Sequence, residues 1–206
     1  MTKEPDRLPA RKLKSLQTRM KLLAAGSDIF IKEGFQKATI SQIIKKAETG
    51  YGTAYVHFKN KDDILIVLMD DVMNRFYDIA EFSFEPNTKV EAYGIIEKQV
   101  SAFLEMANEE RKILKVVEEA IGVSEEVRKK WQTIRERFIE RISRDVAFAQ
   151  KNGLARRDVD CTLVARGWFY ANEMYLWDIV RNDRDLLVND VVHNLTAMYT
   201  GGLYIQ

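Results

Sequence analysis

Residues 39–61 bring together side chains whose types and spacing fit contacts with a polyanion. The hydroxyls of Thr39 and Tyr55, the imidazole of His57 and the ammonium of Lys61 can all donate hydrogen bonds to phosphate oxygens. Tyrosine and valine side chains in the same segment can reach the edges of bases. Contact with nucleic acid is therefore one chemistry that this segment could perform.

The sequence contains no pattern that indicates catalysis. It lacks paired carboxylates in a motif, a nucleophile spaced from a base, a phosphate-binding loop and a cluster of metal ligands. His57 has the chemistry of a metal ligand or general base, but the only other histidine is His193 and the only cysteine is Cys161. We therefore expect a binding protein that is not an enzyme, with no metal and no cofactor.

Charge is distributed unevenly along the 206 residues, although the net charge is only +1. Residues 1–61 contain 13 Lys and Arg against 5 Asp and Glu (net +8), whereas residues 62–206 contain 19 against 26 (net −7). This asymmetry fits a phosphate-binding module joined to a module that does not bind nucleic acid. A chance distribution over solvated helix faces would look the same. We place the domain boundary after Lys61, giving domains at residues 1–61 and 62–206.

Composition predicts a folded, cytoplasmic protein. The hydrophobic fraction of 46% is enough for a core. The first twenty residues are charged throughout without the apolar segment of a signal peptide, and no run of 18 apolar residues follows. We expect no contact with a membrane. Arg7, Arg11, Lys12 and Lys14 would form either a flexible arm along a nucleic-acid backbone or a disordered terminus.

Apolar residues recur with the period of an α-helix, and strand-like alternation is absent. The three prolines lie outside the periodic segments. Helices are predicted at about residues 18–33, 40–47, 51–58, 62–82, 89–107, 110–120 and 125–151, from 158 or 160 to 180, and at 186–203. The predicted fold is all-α, with an N-terminal three-helix helix-turn-helix domain and a C-terminal helical domain.

Two short helices joined by residues 48–50 form the pattern of a helix-turn-helix. Thr39 is a good N-cap, so helix amides and its hydroxyl can face a phosphate together. Gly52 allows the backbone to approach DNA closely, and Thr53 offers a hydroxyl to phosphate or a methyl group to thymine. Ser41 can reach a base or a phosphate.

Residues 38–65, ATISQIIKKAETGYGTAYVHFKNKDDIL, resemble the DNA-binding signature of the TetR (tetracycline-repressor) family of transcriptional regulators. The matching positions are Gly52, Thr53, Ala54, Tyr55, His57, Phe58, Asn60, Lys61, Asp62 and Asp63. Two positions depart from the pattern: Glu48 stands where glycine is common, and Gly50 where a capping serine is common. A positive φ at Glu48 would cost about 1 kcal/mol.

The resemblance implies a role for the side chains around the second short helix. The DNA-binding residues it implies are Thr39, Ser41, Tyr51, Gly52, Thr53, Tyr55, Val56, His57 and Lys61. Tyr51, Gly52 and Val56 would read bases. Thr53, Tyr55, His57 and Lys61 would contact phosphate, while Ala54 and Phe58 would face inward. The alternative for Tyr55 is that its ring packs in the core instead of contacting phosphate.

The resemblance also implies a homodimer on double-stranded operator DNA, because two readers about 34–36 Å apart match successive major grooves. In this family the last two helices pack against those of the second subunit. Here they would span residues 161–180 and 186–203. The candidate dimerisation residues are Trp168, Trp177, Leu187, Val191, Leu195 and Met198.

Finally, the resemblance implies a pocket for a small-molecule effector inside the C-terminal domain. The candidate effector-binding residues are Phe103, Met106, Val117, Ile121, Trp131, Phe138, Phe169, Asn172, Glu173 and Tyr175. Ordinary core packing is the alternative for each. Their aromatic content suggests a bulky apolar or amphipathic effector. The expected function is a repressor that releases its operator when the effector binds; the alternative is an effector-independent dimeric DNA-binding protein.

Overall fold

A computed structural model describes residues 10–182 and 186–205. These residues form nine α-helices and no β-strand, which confirms the all-α prediction. The helices are α1 (Ala10–Glu33), α2 (Ile40–Lys46), α3 (Tyr51–His57), α4 (Lys61–Ala80), α5 (Lys89–Glu109), α6 (Arg111–Val123), α7 (Glu125–Lys151), α8 (Cys161–Arg181) and α9 (Val188–Leu203).

Polar caps determine where several helices begin. Thr39 caps α2, as predicted, in a capping box with Gln42, and the Ser124 hydroxyl caps α7. Asp160, and not Asp158, caps α8. The prediction for α1 was wrong at its start, because the helix begins at Ala10.

The early start of α1 changes the description of the basic N-terminus. Arg11, Lys12 and Lys14 belong to a regular helix, so neither the flexible arm nor the disordered terminus describes them. Residues 10–17 are mostly good helix formers, which explains the extension. Arg7 lies outside the described residues.

The helix-turn-helix packs on α4 through one hydrophobic core. Leu22 and Phe30 of α1, Ile43 of α2 and Ala54 of α3 are buried together with Ile64 of α4. The same cluster continues through α6 and α7 into α8. The boundary after Lys61 thus remains a prediction about charge and function, since the core runs through it without a break. A second cluster joins α5, α9 and the adjoining parts of α7 and α8.

Two left-handed residues shape the N-terminal helices. Gly34 ends α1 with φ 79°, as expected of a helix-stopping glycine. Glu48, in the turn between α2 and α3, has φ 51°. A residue with a side chain is strained in this conformation, so the turn carries the cost of about 1 kcal/mol expected for a positive φ at Glu48.

Replacing Glu48 by glycine should relieve this strain. We expect Glu48→Gly to raise the free energy of unfolding by about 1 kcal/mol, measured by urea denaturation. Glu48→Gln keeps the strain and removes only the charge, so it is the matched control and should leave stability within about 0.5 kcal/mol of wild type. Equal stability of the two variants would show that the turn is not strained.

Candidate nucleic-acid interface and ligand cavity

Helix α3 presents a row of exposed side chains. Tyr51 and Tyr55 are about half exposed and Val56 is 81% exposed, whereas Ala54 and Phe58 are buried. The inward orientation predicted for Ala54 and Phe58 is confirmed. The core alternative for Tyr55 is wrong. An apolar side chain as exposed as Val56 contributes little to the fold, so it is available for contact with another molecule.

The other candidates on α3 and α2 surround this row. Gly52, Thr53 and Ser41 are exposed, and His57 is half-buried beside the ring of Phe58. The Thr39 hydroxyl accepts from the Gln42 backbone N–H at 3.2 Å and donates to Gln42 Oε1 at 2.9 Å. Thr39 therefore acts first as a cap for α2.

Arg19 of α1 adds a positive charge that sequence reasoning missed. Its guanidinium lies 5.4 Å from the ring centroid of Phe58, next to the end of α3. The spacing of apolar residues identifies the buried face of α1, but it does not show which of its cations lies beside α3.

Lys61 has a different role from the predicted phosphate contact. Its ammonium donates to the carbonyls of Phe35 at 2.6 Å, Gln36 at 3.3 Å and Ala38 at 2.9 Å, and lies 4.4 Å from the Phe35 ring centroid. An ammonium has three donors, and these carbonyls use them. Lys61 thus ties the start of α4 to residues 34–38, which we call the α1–α2 turn.

Glu119 of α6 binds the same turn from the other side. Its carboxylate accepts hydrogen bonds from the backbone N–H groups of Phe35 at 2.9 Å and Gln36 at 3.0 Å. A Cβ at Gly34 would lie 2.9 Å from Glu119 Oε2, and the residue has φ 79°, so a side chain there would displace the carboxylate and strain the backbone. Sequence reasoning missed Glu119, because the partners are more than eighty residues apart. The α1–α2 turn is therefore clamped between Lys61 and Glu119.

A second polar contact joins the same regions. Ser124, the cap of α7, donates its hydroxyl hydrogen to Asp62 Oδ1 at 2.5 Å. Asp62 lies in the first turn of α4, directly after Lys61. The beginning of α4 is thus fixed to both the α1–α2 turn and the α6–α7 junction.

A cavity of about 70 Å³ lies among α4, α5, α7 and α8. Four of the ten predicted effector-binding residues line it: Phe103, Phe138, Phe169 and Asn172. The lining residues that the prediction missed are Phe76, Ile79, Ala80, Ile96, Gln99, Val100, Arg141, Ile142, Asp145 and Trp168. Three of these belong to α4, so the helix held by the clamp at its start forms a cavity wall near its end.

The other six predicted effector-binding residues lie elsewhere, and their effector-binding role stays untested. Met106, Val117, Ile121, Trp131, Glu173 and Tyr175 do not line this cavity. Glu173 Oε1 instead accepts hydrogen bonds from Trp131 Nε1 at 2.6 Å, Arg135 Nε at 2.9 Å and Trp177 Nε1 at 3.3 Å. Val117 is buried in the core. These residues lie on helix faces that pack elsewhere.

Burial perturbs an acidic residue at one end of the cavity. Arg141 donates to Asp145 and to the Phe82 carbonyl, the latter at 3.1 Å. Burial raises the pKa of the Asp145 carboxyl to about 6, although the hydrogen bond from Arg141 acts in the opposite direction. The cavity therefore combines a mostly apolar lining with one mostly buried carboxyl group.

The predicted dimerisation residues divide between two faces. Leu187 and Met198 are exposed, whereas Trp177, Val191 and Leu195 are buried within the subunit, and Trp168 stacks on Tyr199 at 4.1 Å. Trp177, Val191 and Leu195 therefore offer little surface to a second subunit, and the dimerisation role of the six residues stays a prediction. The exposed apolar side chains of α8 are Leu163, Tyr170 and Met174. With Gly167 they follow the i, i+4, i+7, i+11 spacing of one helix face.

Within the described residues, no helix is long and apolar enough to cross a membrane. In the same part of the chain, no group of three or more His, Cys, Asp or Glu residues is arranged to hold a metal ion.

Two family models match the chain. The model for "Bacterial regulatory proteins, tetR family" matches residues 22–68, which include the helix-turn-helix. The model for "Transcriptional regulator EthR, C-terminal domain" matches residues 96–205.

Curated relatives match only part of the chain. The "Fatty acid metabolism regulator protein" of Bacillus subtilis is 36% identical over 62 residues, which are 30% of this chain and 32% of the relative. The "HTH-type transcriptional regulator QacR" of Staphylococcus aureus is 32% identical over 50 residues, or 24% of this chain and 27% of the relative. The chain thus matches about a third or less of their length.

Solved structures share the whole fold. SmeT, the repressor of the Stenotrophomonas maltophilia multidrug efflux pump SmeDEF, superposes with a TM-score of 0.73 at 18% identity, covering 92% of this chain and 93% of SmeT. Salmonella enterica GusR gives a TM-score of 0.72 at 20% identity, covering 90% and 95%. Because the second family model alone spans more than half of the sequence, the chain belongs to the TetR family of bacterial transcriptional regulators, which are not enzymes.

Proposed function

We propose that this TetR-type regulator is a homodimeric repressor that releases its operator when a small apolar or amphipathic effector enters the cavity. The observation that carries the proposal is the position of α4. This helix begins at the clamp on the α1–α2 turn, through Lys61, and contributes Phe76 and Ile79 to the cavity wall. One rigid element therefore connects the sensor to the reader.

The proposed reader is the exposed surface of α3. Tyr51, Gly52 and Val56 would contact base edges, and Thr53, Tyr55 and His57 would contact phosphates. Thr39 and Ser41 would contribute from the start of α2. Their exposure and the positive charge of residues 1–61 support this assignment. Lys61 acts through the clamp and not through phosphate.

The proposed dimer uses the exposed apolar faces of the last two helices. Leu163, Tyr170 and Met174 of α8 lie on one helix face, and Leu187 and Met198 are exposed just before and within α9. Pairing these faces would bury apolar surface that a monomer leaves in water. The dimer would present two α3 helices to successive major grooves.

The size of the cavity suggests how an effector would act. Its volume of about 70 Å³ is far below the roughly 300–1,000 Å³ of pockets that hold drug-sized molecules. An effector of that size would bind only a state in which the helices have moved apart. Because α4 is a cavity wall, the favoured state would have α4 displaced, and with it the α1–α2 turn. Operator and effector would then weaken each other's binding equally.

Val56→Ala tests the reader. We expect it to weaken binding to the DNA upstream of the protein's own gene by about tenfold, because a base contact contributes 1–3 kcal/mol. The affinity would still fall steeply with salt, since phosphate contacts remain. Affinity is measured by fluorescence anisotropy over a salt series.

Val90→Ala is the matched control, because Val90 in α5 is also 81% exposed. It should leave operator affinity unchanged. If both variants bind like wild type, α3 does not read the operator as proposed.

Glu119→Gln tests the clamp. An amide has one acceptor oxygen in place of a carboxylate's two, so at least one hydrogen bond to the turn is lost. We expect operator affinity to fall by about tenfold, within the range of coupling energies of 1–3 kcal/mol. Circular dichroism confirms that the variant is folded at the assay temperature.

Glu118→Gln removes the same charge one residue earlier, at a side chain that pairs with Arg181 of α8. It should leave operator affinity close to wild type. Equal losses in both variants would indicate a general charge effect and contradict the clamp.

A further inference from the structure

At the polar end of the cavity, Arg141 contacts two carboxylates: Asp145, which lines the cavity with it, and Glu81, which lies outside the lining. Arg141 Nη1 donates to Asp145 Oδ1, and Arg141 Nε lies 3.4 Å from Glu81 Oε2. Arg141 Nη2 donates to the Phe82 carbonyl. One guanidinium therefore faces two carboxylates and a carbonyl, which leaves these three charged side chains with a net charge of −1.

Of the two carboxylates, only Asp145 lines the cavity. Its side chain is mostly buried and lines the cavity, whereas Glu81 is largely exposed. The other cation near Asp145, Arg144, is exposed on α7. The pKa of Asp145 is raised mainly because burial disfavours the charged carboxylate. A second cation in the cavity would therefore stabilise the charged form.

The remaining lining suits the body of a lipophilic cation. The rings of Phe76, Phe103, Phe138 and Phe169 follow one another with centroid distances of 5.1, 6.2 and 5.5 Å. Aromatic faces attract cations, and the same rings bury apolar groups. Trp168, on the same side as Asn172, provides a further aromatic surface.

An anionic ligand would fit the same cavity poorly. Of the described residues that line it, Arg141 is the only Lys or Arg, and its guanidinium already binds Asp145 and Glu81. A carboxylate placed there would add a negative charge beside Asp145 without a cation to receive it.

We propose that the effector is a lipophilic cation, an ammonium or similar onium group that lies beside Asp145 and carries an apolar body that packs on the phenylalanine rings. This inference rests on the proposed function, because it takes the cavity to be the effector site. It narrows the effector from apolar or amphipathic molecules in general to those with positive charge.

Three polyphenyl probes of different charge test the inference with the full-length protein. They are tetraphenylphosphonium, the isosteric anion tetraphenylborate and the neutral triphenylmethanol, each titrated by calorimetry. We expect tetraphenylphosphonium to bind at least about tenfold more tightly than the other two. Asp145→Asn should reduce its affinity by about tenfold. Glu140→Gln, an exposed charge change on the same helix, should not.

The comparison of the three probes on wild-type protein tests the charge of the effector even if Asp145→Asn fails to fold. Equal or tighter binding of the anion or the neutral probe would overturn the positive charge of the effector and leave the effector role of the cavity intact. Absence of binding by all three probes would contradict the effector role of the cavity itself, and the inference with it.

Discussion

The position of the DNA reader depends on how the backbone of the α1–α2 turn is hydrogen-bonded. Peptide groups outside helices need partners when they are shielded from water. Glu119 accepts from the N–H groups of Phe35 and Gln36, and Lys61 donates to the carbonyls of Phe35, Gln36 and Ala38. One charged side chain from α6 and one from α4 thus fix the turn that leads into α2. Any movement of α4 relative to α6 must change these bonds.

In the proposed switch, the shared core would transmit a movement of α4 to the N-terminal helices. The N-terminal helices pack on α4 and α6 through buried apolar residues, and such contacts tolerate small shifts poorly. A displacement of α4 at the cavity would therefore be passed to its other end, about 30 Å away for a 20-residue helix. An effector-independent role for the C-terminal helices would give no reason for a polar-ended cavity beside this helix.

Local features could be predicted from the sequence, whereas which of two apolar faces of a helix is buried could not. Helix period and cap residues gave the nine helices, and the family signature gave the inward positions of Ala54 and Phe58. Helices α8 and α9 are apolar on both their inner and outer sides. Periodicity therefore could not show that Trp177 is buried while Met174 is exposed. Glu119 and the second role of Lys61 depend on tertiary contacts between distant segments, which spacing does not reveal.

Native-state hydrogen exchange with and without operator DNA tests the link between reader and cavity most directly. If α4 and the clamp connect them, DNA should slow amide exchange at Phe35 and Gln36 in the turn and also at Phe76 and Ile79 beside the cavity, although none of these residues is proposed to touch DNA. Slower exchange confined to α2 and α3, with the turn and the end of α4 unchanged, would contradict this account.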